Sequence, residues 1–549
     1  MKHIEIYDTT LRDGAQMRDI SFSVADKLKI LTILDELGIA YVEGGWPGAN
    51  PKDVDFFEEA KKLKLKNTVL TAFGSTRKAN TKVNEDPILK ALLRADTKVI
   101  CIVAKSSAWQ VETTMKANLD ENLEMLAESI SYLKSQNREV FVDAEHFFDG
   151  YKDNSQYSQD FIKTAIKAGA TRMILCDTNG GSLPGDVYKV TKELVDKFKS
   201  EIGLGIHAHN DGELAVANSI RAVRAGAIQV QGTINGYGER CGNANLISII
   251  PNLQLKYTDN KLLCIPEEKL ATLTSVARRV AEIANMNLNH SQAFVGDRAF
   301  THKGGLHASA VAKEKTSYEH IDPSLVGNRT MVVVSEQSGI SNIIDWFNNN
   351  GFHFQDEAQA KKAAQAVLAK IKDMEHQGYS YENAGASFEI MIRKIIAKDF
   401  AADLKSAMKA EDIYPKFFEL IESNVHIVNG ERTEATVRIR VNNIEKHSVS
   451  LGNGPANALD QALRKALRDY YPDVDKFQLQ DFKVRILDSH LGTGAITKVQ
   501  INTGMQDQNW DTIGVSSNII KASWDAIVDS IEYGLIKIAQ GSKSYAKQQ

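Results

Sequence analysis

The first half of the chain repeats one pattern eight times. Short β-branched runs occur at "HIEIYDTT" (3–10), "AYVEGG" (40–45), "NTVLTAFG" (67–74), "TKVICIVAK" (97–105), "EVFVDAEHF" (139–147), "RMILCDTNG" (172–180), "LGIHAHND" (204–211) and "AIQVQGTING" (227–236). Between them lie stretches with apolar residues three and four apart, the helical period. The clearest is "SVADKLKILTILDELG" (23–38), with Ser23 placed as N-cap and Gly38 as C-cap. Eight strand–helix units in roughly 255 residues is what a (β/α)8 TIM barrel requires. A doubly wound open sheet is the rival, but it rarely uses eight evenly spaced units of this size.

At 549 residues the chain exceeds what one hydrophobic core supports. We expect a barrel over 1–265, a helical linker region over 266–410, and an α+β domain over 411–549. The middle region carries two amphipathic runs, "EEKLATLTSVARRVAEIANM" and "DEAQAKKAAQAVLAKIKDMEHQG". In the last region "EATVRIRV" (434–441) and "AITKVQI" (495–501) alternate like strands. Each leads through a second short strand into a helix. The two halves match in order and spacing, which predicts a duplicated β-β-β-α unit whose apolar sheet face is covered by its copy or by a second chain. An undivided α+β domain is the alternative.

A formal net charge of −4 gives no reason to expect nucleic acid or an anionic membrane as partner. Cys101, Cys176, Cys241 and Cys264 form no C-x-x-C pair and read as reduced thiols of a cytoplasmic protein. Glu5 and Asp8 fall where a signal peptide needs an apolar run, and no apolar run reaches the roughly 20 residues of a membrane span.

In a (β/α)8 barrel the loops after the strands gather at one rim, where chemistry sits. Arg12 and Asp13 follow strand one. His207 and His209, two apart at the end of strand seven, point the same way. Asn243, in "GYGERCGNANL", follows strand eight, which closure places beside strand one. Two imidazoles, a carboxylate and an amide oxygen suit a divalent cation such as Mn2+, Mg2+ or Zn2+. An H-x-H pair alone does not specify a metal; placement on strands one, seven and eight favours one over satisfied core histidines. Arg12 suits a carboxylate or a developing oxyanion, or else forms a structural ion pair with Asp13 or Glu43. Gln16 closes the same polar burst and is expected beside the substrate. Thr178 donates to a carboxylate or is simply a turn residue of "TNGG". Glu145 is either a buried partner of Arg12 or part of the acid–base machinery, and His146 should face away. The glycine-rich "GTINGYGERCG" reads as a mobile rim loop rather than a phosphate cradle, and no CoA site is readable.

"DTTLRDGAQ", "GIHAHNDGELAVANSIRAVRAGA" and "GERCGNANL" resemble the signature segments of the alpha-isopropylmalate, homocitrate and citramalate synthases, of the DRE-TIM metallolyase superfamily. The resemblance covers nearly the whole chain. "GGWPGANPKD" (44–53), "DAEHFFDGY" (143–151) and "GYSYENAGASFE" are most similar to the bacterial citramalate synthase branch. The resemblance implies Asp13, His207, His209 and Asn243 as metal ligands, Arg12 and Thr178 as residues holding the 2-oxo acid, and Glu145 as the catalytic glutamate. It also implies His307 and Tyr318, in "FTHKGGLHASAVAKEKTSYEHIDPSLVG", as a catalytic pair often supplied by the other subunit, with His302 the lesser alternative.

The chemistry so implied is condensation of acetyl-CoA with pyruvate to citramalate and CoA. His307 and Glu145 would take the methyl proton, Arg12 would face the new alkoxide, and Tyr318 would assist. The implied assembly is a homodimer, and the implied effector is isoleucine, bound in the C-terminal domain. "GNGPANAL" (452–459) and "HLGTGA" (490–495) would frame its pocket, or else are ordinary turns. The nearest rival is 2-isopropylmalate synthase, with a larger 2-oxo acid. A lyase or biotin carboxyltransferase is disfavoured by the duplicated domain and by the lack of a biotinyl M-K-M segment. A non-catalytic amino-acid sensor would need a lost ligand, yet every matched position is filled.

Overall fold

A computed structural model describes residues 2–257, 261–302, 307, 310–311, 314–332, 339–381, 384–405, 409–428, 432–487, 492, 494–505 and 508–546. Its chain contacts divide it into two compact units. One comprises residues 1–301 with 319–330; the other comprises 302–318 with 331–549.

The first unit is a closed barrel of eight strands: β1 (Glu5–Asp8), β2 (Tyr41–Glu43), β3 (Val69–Ser75), β4 (Val99–Lys105), β5 (Glu139–Glu145), β6 (Arg172–Asp177), β7 (Gly203–Ala208) and β8 (Gln229–Gly232). Six lie within the runs expected from the sequence; β3 and β7 each extend one residue past theirs, at Ser75 and Gly203. Every neighbouring pair is parallel, and β8 closes on β1 with Glu5 opposite Gln229 and Asp8 opposite Gly232. Side chains alternate between two cores. Tyr7, Phe73, Val99, Cys101, Phe141, Ile174 and Cys176 fill the barrel. Ile6, Ile100, Ile102, Val140, Val142, Met173 and Leu175 point outward to the helix layer. The period-two register therefore decides which residues reach the lumen. Helix α1 (Val24–Leu37) shows how the local sequence sets the elements. The Ser23 hydroxyl accepts from the Asp26 N–H, the Asp26 carboxylate answers the Ser23 N–H, and Gly38 ends the helix in the left-handed region.

The second unit begins with helical structure, including α2 (Glu357–His376) and α3 (Gly385–Asp399). Then comes the duplication. Strands β9 (Glu419–Val428), β10 (Arg432–Val441) and β11 (Ile444–Gly452) form an antiparallel sheet followed by α4 (Pro455–Leu467). Strands β12 (Gln478–Ile486), β13 (Thr497–Met505) and β14 (Gln508–Ser516) form another, followed by α5 (Ile519–Ala546). Even the irregularities repeat: the first strand of each sheet slips register three residues in, between Leu420 and Glu422 and between Leu479 and Asp481. The middle strands alternate, with Ala435, Val437, Ile439 and Val441 buried against α4 residues Leu459, Ala462 and Leu463. The edge strands carry hydrocarbon into solvent: Ile427 in β9, Ile444 and Leu451 in β11, and Val484 and Ile486 in β12 are all exposed. Among the described residues no helix is long and apolar enough to cross a membrane.

Candidate metal centre

The turn after β1 is pinned before it presents anything. The Asp8 carboxylate accepts from the Thr10 N–H and hydroxyl, both at 2.9 Å. Thr10 Oγ1 accepts from the Ile234 N–H at 2.9 Å, and Thr9 N–H donates to the Gly232 carbonyl. Asp8, Thr9 and Thr10 are fully buried, so they fasten the first loop to the eighth. Burial pushes the Asp8 carboxyl up to about 7, against the hydrogen bonds from Thr10.

That anchorage aims Arg12 and Asp13. Asp13 Oδ2 lies 3.3 Å from His207 Nε2 and 4.0 Å from His209 Nε2. The two imidazole Nε2 atoms are 3.4 Å apart. One donor atom from each of the three residues falls within 4.8 Å of the others, and all three residues are buried. Asn243 pairs with His209 in an isolated antiparallel bridge. Its Nδ2 donates to the Tyr237 carbonyl, while its buried Oδ1 has no hydrogen-bond partner among the described residues; nor does His209 Nδ1. A buried acceptor without a donor is rare, and a cation would satisfy Asn243 Oδ1; His209 Nδ1, on the far side of its ring from Nε2, would carry the ring proton. The donor set therefore fits a divalent metal on the structure's own terms.

The glycine-rich run behind Asn243, expected as a mobile rim loop, is close-packed. Gly242 has φ +87°, and a Cβ there would stand 2.0 Å from the Gly236 carbonyl oxygen; at Gly238 (φ +152°) it would stand 2.1 Å from Asn243 Nδ2. The glycines let the loop fold onto itself and turn Asn243 inward. Arg240 of the same loop donates to both Asp211 carboxylate oxygens and to the Thr178 carbonyl, tying the loops after β6, β7 and β8 together.

Arg12 makes both ion pairs weighed from the sequence. Its Nε donates to Glu43 Oε1 at 2.5 Å and its Nη1 lies 3.3 Å from Asp13 Oδ2. Glu43 Oε2 accepts from the Tyr7 hydroxyl at 2.7 Å, and the Arg12 guanidinium lies over the Phe73 ring, 3.9 Å from its centroid. Burial alone would raise the Asp13 carboxyl, but Arg12, His207 and His209 overcome it and hold it well below the usual carboxylate range. Burial and the neighbouring His207 push His209 down to about 4, so it stands neutral with a free lone pair. Burial likewise opposes the charge on His207, but the hydrogen bond and charge of Asp13 prevail and raise it.

The remaining expected residues are distributed less evenly. Thr178 Oγ1 accepts from the His146 N–H at 2.8 Å, which leaves the hydroxyl proton free to be donated. Glu145 is paired with Lys105, at 2.7 Å, and not with Arg12, whose carboxylate partner from a neighbouring strand is Glu43; the run "TKVICIVAK" ends in Lys105, but only the register of β4 against β5 sets it directly opposite Glu145. Gln16, at the end of the 3-10 turn Gly14–Gln16, is exposed and stands outside the buried cluster. In the second unit the rings of His307 and Tyr318 stack with centroids 4.2 Å apart, and His302 lies edge-on to Tyr318 at 6.5 Å. Residues 303–306, 308–309 and 312–313 of that stretch lie outside the described residues.

Sequence reasoning missed the layer beneath the site. Glu43, Cys101 and Asp143 approach one another closely, but Glu43 is already engaged by Arg12 and Tyr7, and burial pushes the Cys101 thiol far up. This is a hydrogen-bonded interior rather than a second cation site. The available signal was polar residues at every second position of strands that helices cover: Gln229 and Gln231 in β8, Asp143 and Glu145 in β5.

A barrel that sets an aspartate after its first strand against an H-x-H pair on its seventh defines the HMGL-like class, and the HMGL-like family model matches residues 3–280. The homocitrate synthase post-HMGL domain-like model matches 294–378, and the LeuA allosteric (dimerisation) domain matches 395–535. The chain is 48% identical to an (R)-citramalate synthase of Aquifex aeolicus, covering 97% of this chain and 98% of that one. It is 45% identical to one of Geobacter sulfurreducens, covering 99% and 100%. A "Probable 2-isopropylmalate synthase" of Methanopyrus kandleri is 27% identical over 96% and 97%. The chain belongs to the (R)-citramalate synthase family.

Proposed function

We propose that the chain condenses acetyl-CoA with pyruvate and water to give (R)-citramalate, CoA and a proton, with Asp13, His207, His209 and Asn243 holding a divalent cation such as Mn2+, Mg2+ or Zn2+. The observation that carries this reading is the buried meeting of Asp13, His207 and His209 beside Arg12, in a chain of this family. A bound divalent cation supplies Lewis acidity toward the keto and carboxylate oxygens of a 2-oxo acid.

Arg12 is fixed by Glu43 and the Phe73 ring, so its guanidinium meets the keto oxygen as negative charge grows there, without reorganising. Thr178 donates its hydroxyl proton to the substrate carboxylate, its lone pair being occupied by the His146 N–H. The acetyl methyl proton is assigned to His307, with Tyr318 and Glu145 assisting. That assignment rests on the resemblance and on the stacking of His307 with Tyr318. Buried, unpaired Cys101, Cys176 and Cys264 fit a reducing cytoplasm.

The C-terminal unit supports two further assignments. Its exposed apolar sheet faces, in a region matching a dimerisation domain, suit a second copy of this chain. A cavity of about 400 Å³ opens at the N-terminus of α4, between Asn453, Gly454 and Asn457 on one side and Phe482, Ile501 and Ile527 on another. A helix N-terminus takes a carboxylate and apolar walls take a branched side chain, which suits isoleucine as effector. Of the two turns expected to frame an effector pocket, "GNGPANAL" supplies residues 453–457 to the lining of this cavity; the described positions of "HLGTGA", 492, 494 and 495, are not among its lining residues, and positions 490, 491 and 493 lie outside the described residues.

CoA release measured with Mn2+ tests the substrate. We expect pyruvate to exceed 2-oxoisovalerate in kcat/KM by at least about tenfold, since each methylene in a fitted pocket is worth roughly 10–200-fold. The reverse preference would make the chain an isopropylmalate synthase, and isoleucine binding without metal-dependent CoA release would make it a sensor.

A further inference from the structure

His207 can offer its Nε2 lone pair to a cation only when the ring proton sits on Nδ1. Nδ1 lies 3.0 Å from Gln231 Oε1, and an amide oxygen only accepts. The amide is kept from turning over at its other end, where Nε2 donates to Asp143 Oδ1 at 3.0 Å. The same Asp143 oxygen accepts from Cys101 Sγ at 3.3 Å. Gln231 and Cys101 are fully buried, and Asp143 is 4% exposed.

We propose that Gln231, oriented by Asp143, is a positioning residue of the metal centre: it fixes the tautomer and ring plane of His207. The inference rests on the reading that Asp13, His207 and His209 hold a cation. Charge explains why an amide does this work. Asp13, Glu43 and Asp143 already place three buried acidic side chains beside a single guanidinium, that of Arg12. A carboxylate at 231 would supply the same acceptor but leave a buried negative charge without a partner. The amide supplies acceptance without charge, and its spare N–H caps Asp143.

The test is Mn2+ affinity, read from the free-ion EPR signal, with far-UV circular dichroism as the check of folding. Gln231→Leu keeps the volume and removes the acceptor; it should weaken Mn2+ binding about 10–100-fold, the usual cost of losing a ligand's outer partner. The exchange Gln231→Glu with Asp143→Asn keeps the shapes and the bond between the two residues while reversing its donor, and gives up only the Cys101 Sγ–H bond to the same Asp143 atom. It should bind Mn2+ almost as tightly as the unsubstituted protein. A side chain needed only for packing would not produce the loss in a folded Leu variant.

A folded Gln231→Leu variant with unchanged affinity overturns the inference while leaving the metal site standing. If Gln231→Leu does not fold, Gln231→Met, whose unbranched chain follows the shape of glutamine, takes its place: a loss of about tenfold or more supports the inference, and unchanged affinity in the Met variant, or lost affinity in the exchange, refutes it. If the unsubstituted protein binds Mn2+ no better than His207→Ala, the cation site itself fails and the inference falls with it.

Discussion

Beneath the rim of the barrel Arg12, Asp13, Glu43 and Asp143 sit out of water; on the C-terminal sheets Ile427, Ile444, Leu451, Val484 and Ile486 sit in it. Both arrangements depart from the ordinary sorting of side chains. The barrel stabilises its buried charges by pairing them, Arg12 with Glu43 and Asp13, so their arrangement is stiff and specific to one ligand chemistry. The sheets leave apolar area uncovered, which is directionless and asks only for a matching surface. Buried charge marks a place for an ion, and exposed hydrocarbon marks a place for another surface.

The comparison breaks first at Asp13. Asp13→Asn keeps the shape and removes the charge opposing Arg12 and the two imidazoles. We expect kcat/KM to fall by about 10³-fold or more, equivalent to about 4 kcal/mol, together with Mn2+ binding. An Asp13→Asn variant with near-normal turnover would remove the catalytic meaning of the whole cluster.

Asp8 sharpens the same contrast through pH. Its folded pKa of about 7 exceeds its ordinary 3.8, so the folded state holds a proton that the unfolded state has released between those values. The stability this contributes is complete below about pH 4 and is lost as pH rises through about 7, at no more than about 1.4 kcal/mol per pH unit. Asp8→Asn should remove that slope, measured as the difference between variant and parent in urea midpoints from pH 4 to 8. Parallel curves would refute it.

On the other side, Val484→Lys with Ile486→Lys puts charge on the exposed β12 face. Each residue forfeits about 1.5–3 kcal/mol of association energy if that face is covered by a second copy. Sedimentation velocity should show a dimer becoming a monomer, with Mn2+ affinity untouched. The smallest effect belongs to the charges of those sheets. Arg440 pairs with Glu419 and Glu445 on the surface, and Arg440→Ala should leave the midpoint of a chemical denaturation curve almost unmoved.

The sequence made the barrel legible because eight β-branched runs alternate with helical periodicity, a pattern set by local forces. The duplication was legible for a similar reason in its middle strands, where "EATVRIRV" alternates over a buried face. The first strands, Glu419–Val428 and Gln478–Ile486, escaped assignment because their exposed faces blur the alternation. At the site, Asp13, His207 and His209 were found because barrel closure makes their convergence predictable. The Glu145–Lys105 pair and the Gln231–Asp143 bond were not. They depend on which residues face one another across strands, a register that hydrogen bonding fixes and no single strand records.

The pairing of β8 with β1 has a consequence for biosynthesis. During synthesis Asp13 emerges before His207, His209 and Asn243 by most of the length of the barrel. A lone carboxylate grips a divalent ion poorly, so the proposed cation could not recruit an unfinished chain. With the ligands proposed, metallation would follow completion of the ring: a chain whose last strand has failed to dock would be left without its full donor set.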